Sequence, residues 1–303
     1  MKGDRGMFNM ITVSNLRFRY DSGSTDVIAG ISFQIKKGEI FGFLGPSGAG
    51  KSTTQKILTG QLKSYSGSVL VAGAEIRNAD RQLYNLLGVA FEFPNLYEKL
   101  TALENLKLFG SFYDRKLIDP GKLLGMVNLY DDRNSLVGSY SKGMKMRLNF
   151  VRSIMHSPEL LFLDEPTSGL DPVNARIIKD IIKGLREKGT TIFLTTHNMN
   201  DAESLCDELA LIDNGKLIVN GTPADLKLRF GEDKISVTLR REGFRILSEH
   251  SLRGIGSDED FLETLKSGEI ETIHSCEASL EDIFIKVTGH GLTGTFSDNS
   301  DHA

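Results

Sequence analysis

Short runs of almost unbroken apolar residues recur along the chain, at 40–44, 160–163 and 191–195, and each ends in glycine, acidic or hydroxyl side chains. Runs of that length and continuity predict parallel strands covered on both faces. Segments 11–18 and 31–35 alternate and look antiparallel, and further strands are predicted at 69–71, 89–91, 209–212 and 217–219. Helices are predicted over 51–62, 103–113, 121–127, 142–156, 173–188 and 223–230. Interleaved strands and helices define an α/β class with a mainly parallel sheet and an antiparallel β subdomain. After residue 230 the character shifts. Residues 231–233 read as a linker, 235–239 alternates as a strand, and Ser257 with Asp260 and Ser279 with Asp282 form two capping boxes. The second box opens a helix that puts Leu280, Ile283, Phe284 and Val287 on one face. The organisation expected is a main domain over 1–230, a small C-terminal β/α appendage over 231–289, and a disordered tail over 290–303.

Composition narrows the classes. With 36 basic and 40 acidic side chains the formal net charge is −4, which argues against a nucleic-acid partner. No stretch reaches the roughly 18 apolar residues of a membrane span, and the N-terminus lacks a secretory signal's apolar segment of about 7–15 residues. Two distant cysteines, Cys206 and Cys276, exclude a disulfide framework and a Cys-based zinc site, and fit a reducing cytosol; the six histidines are scattered.

The strongest chemical signal is Gly45-Pro46-Ser47-Gly48-Ala49-Gly50-Lys51-Ser52-Thr53, between a predicted strand and a predicted helix. Its glycines let backbone N–H groups turn around a triphosphate, and the helix presents its positive N-terminus. Lys51 would reach the β- and γ-phosphates and the Ser52 hydroxyl would ligate Mg²⁺. Residues 160–165 form a buried strand ending in Asp164 and Glu165. Asp164 is placed to hold Mg²⁺, directly or through water. Glu165, pointing to the other side, would act on a water in line with the γ-phosphate as general base or as orienting group. A kinase or GTPase could share these elements. The segment Ser139-Tyr140-Ser141-Lys142-Gly143-Met144 separates them: Ser141 is a good N-cap, and the helix it opens is a second anion site, more than one γ-phosphate needs from one subunit.

Over roughly residues 10–230 the chain resembles the nucleotide-binding subunit of an ATP-binding cassette (ABC) transporter, a P-loop NTPase with a helical signature subdomain at about 92–158. Residues 140–144 match the family's signature motif, and Ser168-Gly169-Leu170-Asp171 its D-loop. His197 matches the switch histidine, and Tyr20 the aromatic that stacks on adenine. Asp171 also suits the cap of the helix that Pro172 begins, which is compatible with a subunit contact. The resemblance implies two subunits, as a homodimer or a mixed pair, with each ATP held between the phosphate loop of one and the Ser141–Lys142–Gly143 helix start of the other.

Three positions depart from the pattern. Glu92 stands where the family has a glutamine that reaches Mg²⁺ and the attacking water. A carboxylate there would bind Mg²⁺ more strongly and crowd the γ-phosphate, so slow turnover is expected. Lys142 replaces a glycine and adds a cation near the phosphates across the dimer, and Met144 replaces a glutamine. Residues 94–101, the signature and 279–284 are similar to the drug-, antibiotic- and sodium-export branch, type-2 exporters whose permease is a separate chain. The resemblance thus implies an ATPase that drives export from the cytoplasmic face of the membrane. Phe93, Leu96, Tyr97 and Leu100 are either the walls of a groove for a permease helix or a locally packed cluster. A cytosolic ABC ATPase without a transport role, or an ATP-binding regulatory module, is the alternative.

Overall fold

The computed structural model describes residues 9–21, 25–231, 234–241, 244–267, 269–275 and 278–289. The expected tail over 290–303, the linker residues Glu232 and Asp233, and Cys276 lie outside them. Two compact units divide between Gly221 and Thr222.

The strands of the first unit are β1 (Asn9–Phe18), β2 (Ile28–Lys36), β3 (Ile40–Leu44), β4 (Ser66–Val71), β5 (Ala74–Glu75), β6 (Leu87–Ala90), β7 (Leu160–Asp164), β8 (Thr191–Thr196), β9 (Glu208–Asp213) and β10 (Lys216–Gly221). Its helices are α1 (Lys51–Leu58), α2 (Arg81–Tyr84), α3 (Ala102–Gly110), α4 (Pro120–Met126), α5 (Lys142–Ile154), α6 (Pro172–Glu187) and α7 (Met199–Leu205). One sheet has the order β10-β9-β3-β8-β7-β6 and is parallel from β9 to β6, with β10 antiparallel at its edge. The continuous apolar runs are its inner strands: β3, β7 and β8 are buried at every position. The alternating segments build a second, antiparallel sheet, β2-β1-β4-β5. Phe33 of the second sheet stacks on Phe41 at 5.5 Å and on Phe193 at 6.5 Å, so a shared aromatic core joins the two. Helices α3, α4 and α5 pack on one another as a separate helical layer.

Several boundaries differ from expectation. Helix α1 stops at Leu58, four residues early, where Thr59 turns its hydroxyl back onto the Gln55 carbonyl and the chain reverses at Gly60. The strand expected at 89–91 runs instead from Leu87 to Ala90. Helix α7 was not anticipated; Asn198 caps it, and its Met199, Ala202 and Leu205 are buried.

The second unit begins nine residues before the expected boundary. It contains α8 (Pro223–Phe230), β11 (Lys234–Arg241), β12 (Phe244–Ser251), α9 (Glu259–Lys266), β13 (Ile270–Ser275) and α10 (Leu280–Thr288). The reason is packing: α8 lies on α10, Leu226 is buried with Leu280, Ile283 and Phe284, and Lys286 donates to the Phe230 carbonyl at 3.1 Å. Strands β12 and β13 flank β11 in an antiparallel sheet, with Phe261 of α9 against Val237 and Leu239. The Ser279–Asp282 capping box forms as expected. The Ser257 box does not. Ser257 ends a short 3₁₀ turn, and Asp258 caps α9 instead, accepting from the Phe261 N–H at 3.0 Å.

One buried histidine joins the helical layer to the edge of the parallel sheet. His156 follows α5, stacks on Tyr113 at 3.7 Å and bonds through Nε2 to the Leu87 carbonyl at 2.9 Å. A carbonyl only accepts, so Nε2 carries the proton, and buried Nδ1 has no partner among the described residues. Burial first, then the Arg115 charge, pushes its pKa from 6.5 down to about 4, against the Leu87 bond, which raises it. The unfolded chain therefore takes up this proton first, and stability present above pH 6.5 drains away as the pH falls towards about 4. The expected loss from this group is on the order of 3 kcal/mol. Urea unfolding across that range should show it in the wild type and not in His156→Gln, whose amide can still donate to Leu87. An equal pH slope in both proteins would exclude His156 as the group responsible.

A candidate nucleotide site at the end of the parallel strands

The loop after β3 is shaped by close approach. A Cβ on Gly45 would lie 2.1 Å from the Ile212 carbonyl oxygen, so only glycine lets the loop leave the sheet here. Gly50, at φ 110°, supplies no side-chain cap to α1, so the first-turn N–H groups of Lys51, Ser52 and Thr53 face the loop's concavity with the positive end of the helix behind them. Lys51 curls back over the loop: its Nζ donates to the carbonyls of Gly45 at 2.6 Å and Pro46 at 3.0 Å. Burial lowers its pKa, and the charges of Glu165, Asp164 and Glu92 oppose that shift. The loop is not uniformly open. Ala49 is buried, and its N–H is used on the Pro46 carbonyl at 3.2 Å, so this amide does not point inward as the sequence alone suggests.

Ser47, Gly48, Gly50, Lys51, Ser52 and Thr53 line a cavity of about 370 Å³ with Val27, Glu92, Asp164, Glu165 and His197. Three parallel strands deliver these groups: β3 the loop, β7 the two carboxylates, and β8 the histidine. Asp164 and Glu165 are both buried and are held by consecutive residues of β8. Thr195 donates its hydroxyl to Asp164. The Glu165 carboxylate accepts from the Thr196 hydroxyl at 3.1 Å and from the His197 N–H at 2.9 Å, and meets His197 Nδ1 at 2.7 Å. Glu165 takes a left-handed backbone conformation, φ 49°, uncommon for a residue other than glycine, at the end of the strand. Burial, followed by the charges of Glu165 and Glu92, raises the Asp164 pKa against the Thr195 bond and Lys51.

Acidic groups thus outnumber basic ones at the buried end of the cavity. Yet no three His, Cys, Asp or Glu side chains among the described residues are close enough to hold a metal by themselves. A hydroxyl, one or two carboxylates and an excess of negative charge suit Mg²⁺ that completes its shell with phosphate oxygens and water.

The remaining expected residues lie elsewhere. Tyr20 is partly exposed beside the cavity, its hydroxyl 3.4 Å from Thr53 Oγ1 and its ring edge-on to Phe18 at 4.8 Å. Ser141 caps α5, accepting from the Met144 N–H at 3.2 Å. Ser141, Lys142, Gly143 and Asp171 contribute nothing to the cavity. Gly143 packs against Leu170, and the Lys142 chain lies over Gly169, so that chain is partly engaged within its own subunit. Asp171 caps α6, accepting from the Val173 and Asn174 N–H groups at 3.0 Å each. Phe93 and Tyr97 are exposed, 73% and 51%, with Leu96 and Leu100 half-buried. That is not a closed local cluster. Sequence reasoning missed Val27, Thr195 and Thr196: hydroxyls in β8 resemble ordinary strand residues until β7 is seen beside them.

A six-stranded, mostly parallel sheet that gathers a phosphate loop, two strand-end carboxylates and a histidine in one cavity defines a nucleotide-hydrolysing cassette. Residues 28–168 match the family described as "ABC transporter", and 234–277 match the "Fluoroquinolone efflux ABC transporter C-terminal domain". A fluoroquinolones export ATP-binding protein of Mycobacterium tuberculosis is 48% identical over 285 residues, 94% of this chain and 95% of the relative. A linearmycin resistance ATP-binding protein of Bacillus subtilis is 39% identical over 230 residues, 75% of this chain and 73% of the relative. A dimeric ATP-binding cassette, solved in a post-hydrolysis state bound to ADP and Pi, superposes with a TM-score of 0.65 at 26% identity, covering 70% of this chain and 98% of that one. The chain belongs to the ABC transporter family, as an ATP-binding, ATP-hydrolysing subunit of its export branch.

The crowding at Gly45 and the open space at Gly48 separate two kinds of glycine. Gly48→Ala meets nothing within 4 Å and strains only a φ of 83°, an expected cost of about 1–2 kcal/mol with the fold retained. Gly45→Ala must force β3 from β9, and is expected to abolish binding of a fluorescent ATP analogue or prevent folding. Equal binding and unfolding midpoints for the two variants would contradict the loop geometry.

Proposed function

We propose that this chain powers drug export by closing, as a homodimer, on two ATP molecules, each held between the phosphate loop of one copy and the start of α5 in the other. The observation that carries this reading is a split. One cavity gathers the loop, Asp164, Glu165 and His197, while the start of α5 at Ser141–Gly143, where the Ser141 hydroxyl takes only the Met144 N–H, stays outside it. A helix N-terminus that lies outside its own subunit's cavity is accounted for if the phosphate it meets belongs to the other subunit.

In this reading Lys51 leaves the Gly45 and Pro46 carbonyls for the β- and γ-phosphates, and the first-turn amides of α1 cradle them. Tyr20 stacks on the adenine. Ser52, Asp164 and Glu92 would hold Mg²⁺, which when bound would supply positive charge against the phosphates. His197 turns from Glu165 to the γ-phosphate and frees the carboxylate. Glu165 then accepts a proton from water as its oxygen bonds to the γ-phosphorus, the bond to the β–γ bridging oxygen breaks, and ADP and phosphate leave. Ser141, Lys142, Gly143 and Asp171 complete the site of the other copy.

The subunit works at the cytoplasmic face, with a permease on a separate chain. Among the described residues no helix is long and apolar enough to cross a membrane. The exposed Phe93 and Tyr97 beside Leu96 and Leu100 suit a groove for a permease helix. The C-terminal match and the 48% identical relative support a fluoroquinolone-type drug as cargo.

Glu165→Gln is expected to cut turnover by roughly 10²–10⁴ while leaving ATP binding intact, and to trap an ATP-dependent dimer visible by light scattering. Ser141→Arg in that background should keep the protein monomeric. A strictly monomeric Glu165→Gln protein with Mg²⁺ and ATP would end the shared-site reading. Glu92→Gln is expected to raise kcat and the Mg²⁺ concentration for half-maximal activity; if neither moves, Glu92 has no part in the chemistry.

A further inference from the structure

Asp201 is buried, and no group assigned to the cavity accounts for it. It sits in the first turn of α7, four residues after His197. One carboxylate oxygen accepts from Lys179 Nζ of α6 at 3.0 Å, and the other takes the hydroxyl of Thr167. Thr167 belongs to the turn that leaves Glu165: the Ser168 N–H donates to the Glu165 carbonyl at 3.1 Å, and the Leu170 N–H to that of Thr167 at 3.2 Å. Asp201 therefore stands where the segment carrying His197 meets the turn ending at Asp171.

The contacts continue on both sides. Towards the cavity, the Asn198 side chain accepts from the Asp201 N–H at 3.2 Å, the Asn198 N–H donates to Thr196 Oγ1 at 2.9 Å, and Thr196 and His197 hold Glu165. Away from the cavity, Gly169 and Leu170 of the turn lie against Lys142 and Gly143 at the start of α5. Burying a carboxylate is costly unless it is hydrogen-bonded and paired. Asp201 satisfies both requirements with partners on two different elements, so the turn cannot shift away from the His197 segment without leaving that carboxylate short of a donor. In the shared-site reading His197 has two positions, on Glu165 as in this structure and on a γ-phosphate, and the contacts traced here pass through neither the loop nor Lys51.

We propose that Asp201 is a positioning residue that makes the Thr167–Asp171 turn, and with it the start of α5, follow the position of His197. Nucleotide bound in one cavity then sets the surface offered to the site across the dimer. The inference rests on the shared-site reading above.

The test compares full-length wild type, Asp201→Asn, Thr167→Val and the double variant. Three quantities are read: the ATP dependence of ATPase activity, the ATP-driven dimer fraction in the Glu165→Gln background, and the monomer's affinity for a fluorescent ATP analogue. Each single variant is expected to bring the Hill coefficient towards one and to weaken dimerisation about fivefold or more, with monomer affinity within about twofold. The double variant should be no worse than the worse single, since both break one contact. Thr167→Val leaves Asp201 paired with Lys179, so it tests the contact even if Asp201→Asn folds poorly. Wild-type cooperativity and dimerisation in Thr167→Val would overturn the proposal and reduce Asp201 to a structural partner of Lys179. If Glu165→Gln alone stays monomeric with ATP, the shared-site reading fails first; if it dimerises and both variants cooperate normally, only the role of Asp201 fails.

Discussion

Two carboxylates on consecutive residues, Asp164 and Glu165, are buried at the end of one strand, and the architecture around the cavity is arranged to make that tolerable. Burying a carboxylate without a hydrogen-bond partner is costly. Thr195, Thr196 and His197 at the end of β8 supply the donors, which requires β7 and β8 to be parallel neighbours in register. β8 in turn lies beside β3, which carries the phosphate loop and its ammonium. The strand order is thus an electrostatic solution as much as a packing one. Lys51 is held inside the subunit by carbonyls, at the mouth of a cavity whose acidic end calls for a cation.

How far this was legible in the sequence depends on range. The loop 45–53 and strands β3, β7 and β8 were readable because their signals are local: a glycine spacing, or a short, nearly continuous apolar run. The Ser279 capping box was readable for the same reason. Ser257 failed because Asp258, one residue on, competes for the same cap with a better acceptor, and a short 3₁₀ turn decides between them. Strands β12 and β13 were invisible because they are largely exposed and owe their order to pairing with β11. The Thr167–Asp201 contact spans 34 residues and leaves no periodic trace in either segment.

The boundary between the units teaches the same lesson. A helix over 223–230 was correctly expected, yet it belongs to the unit that follows it. Its apolar anchor, Leu226, is buried with α10, more than fifty residues further on, and nothing within the helix records the identity of that neighbour. Amphipathic spacing reports that a face must be covered, not what covers it.

The stretch from Phe91 to Leu100 shows how the cavity and the helical layer are connected. Asn149 of α5 donates to the Phe91 carbonyl at 2.8 Å and Arg152 to the Asn95 carbonyl at 3.0 Å, so α5 grips the backbone on both sides of Glu92. Buried Asn105 of α3 donates to the Tyr97 carbonyl at 3.0 Å and accepts from its N–H at 2.9 Å. The segment that brings a carboxylate into the cavity is therefore held mainly by the helical layer, not by the sheet. The same α5 begins after Ser141, so the acidic group in the cavity and the helix start that the proposed dimer offers to a second nucleotide belong to one hydrogen-bonded body. A displacement of the backbone at Glu92 therefore has to carry α5 with it or break the bonds that Asn149 and Arg152 make to either side of it.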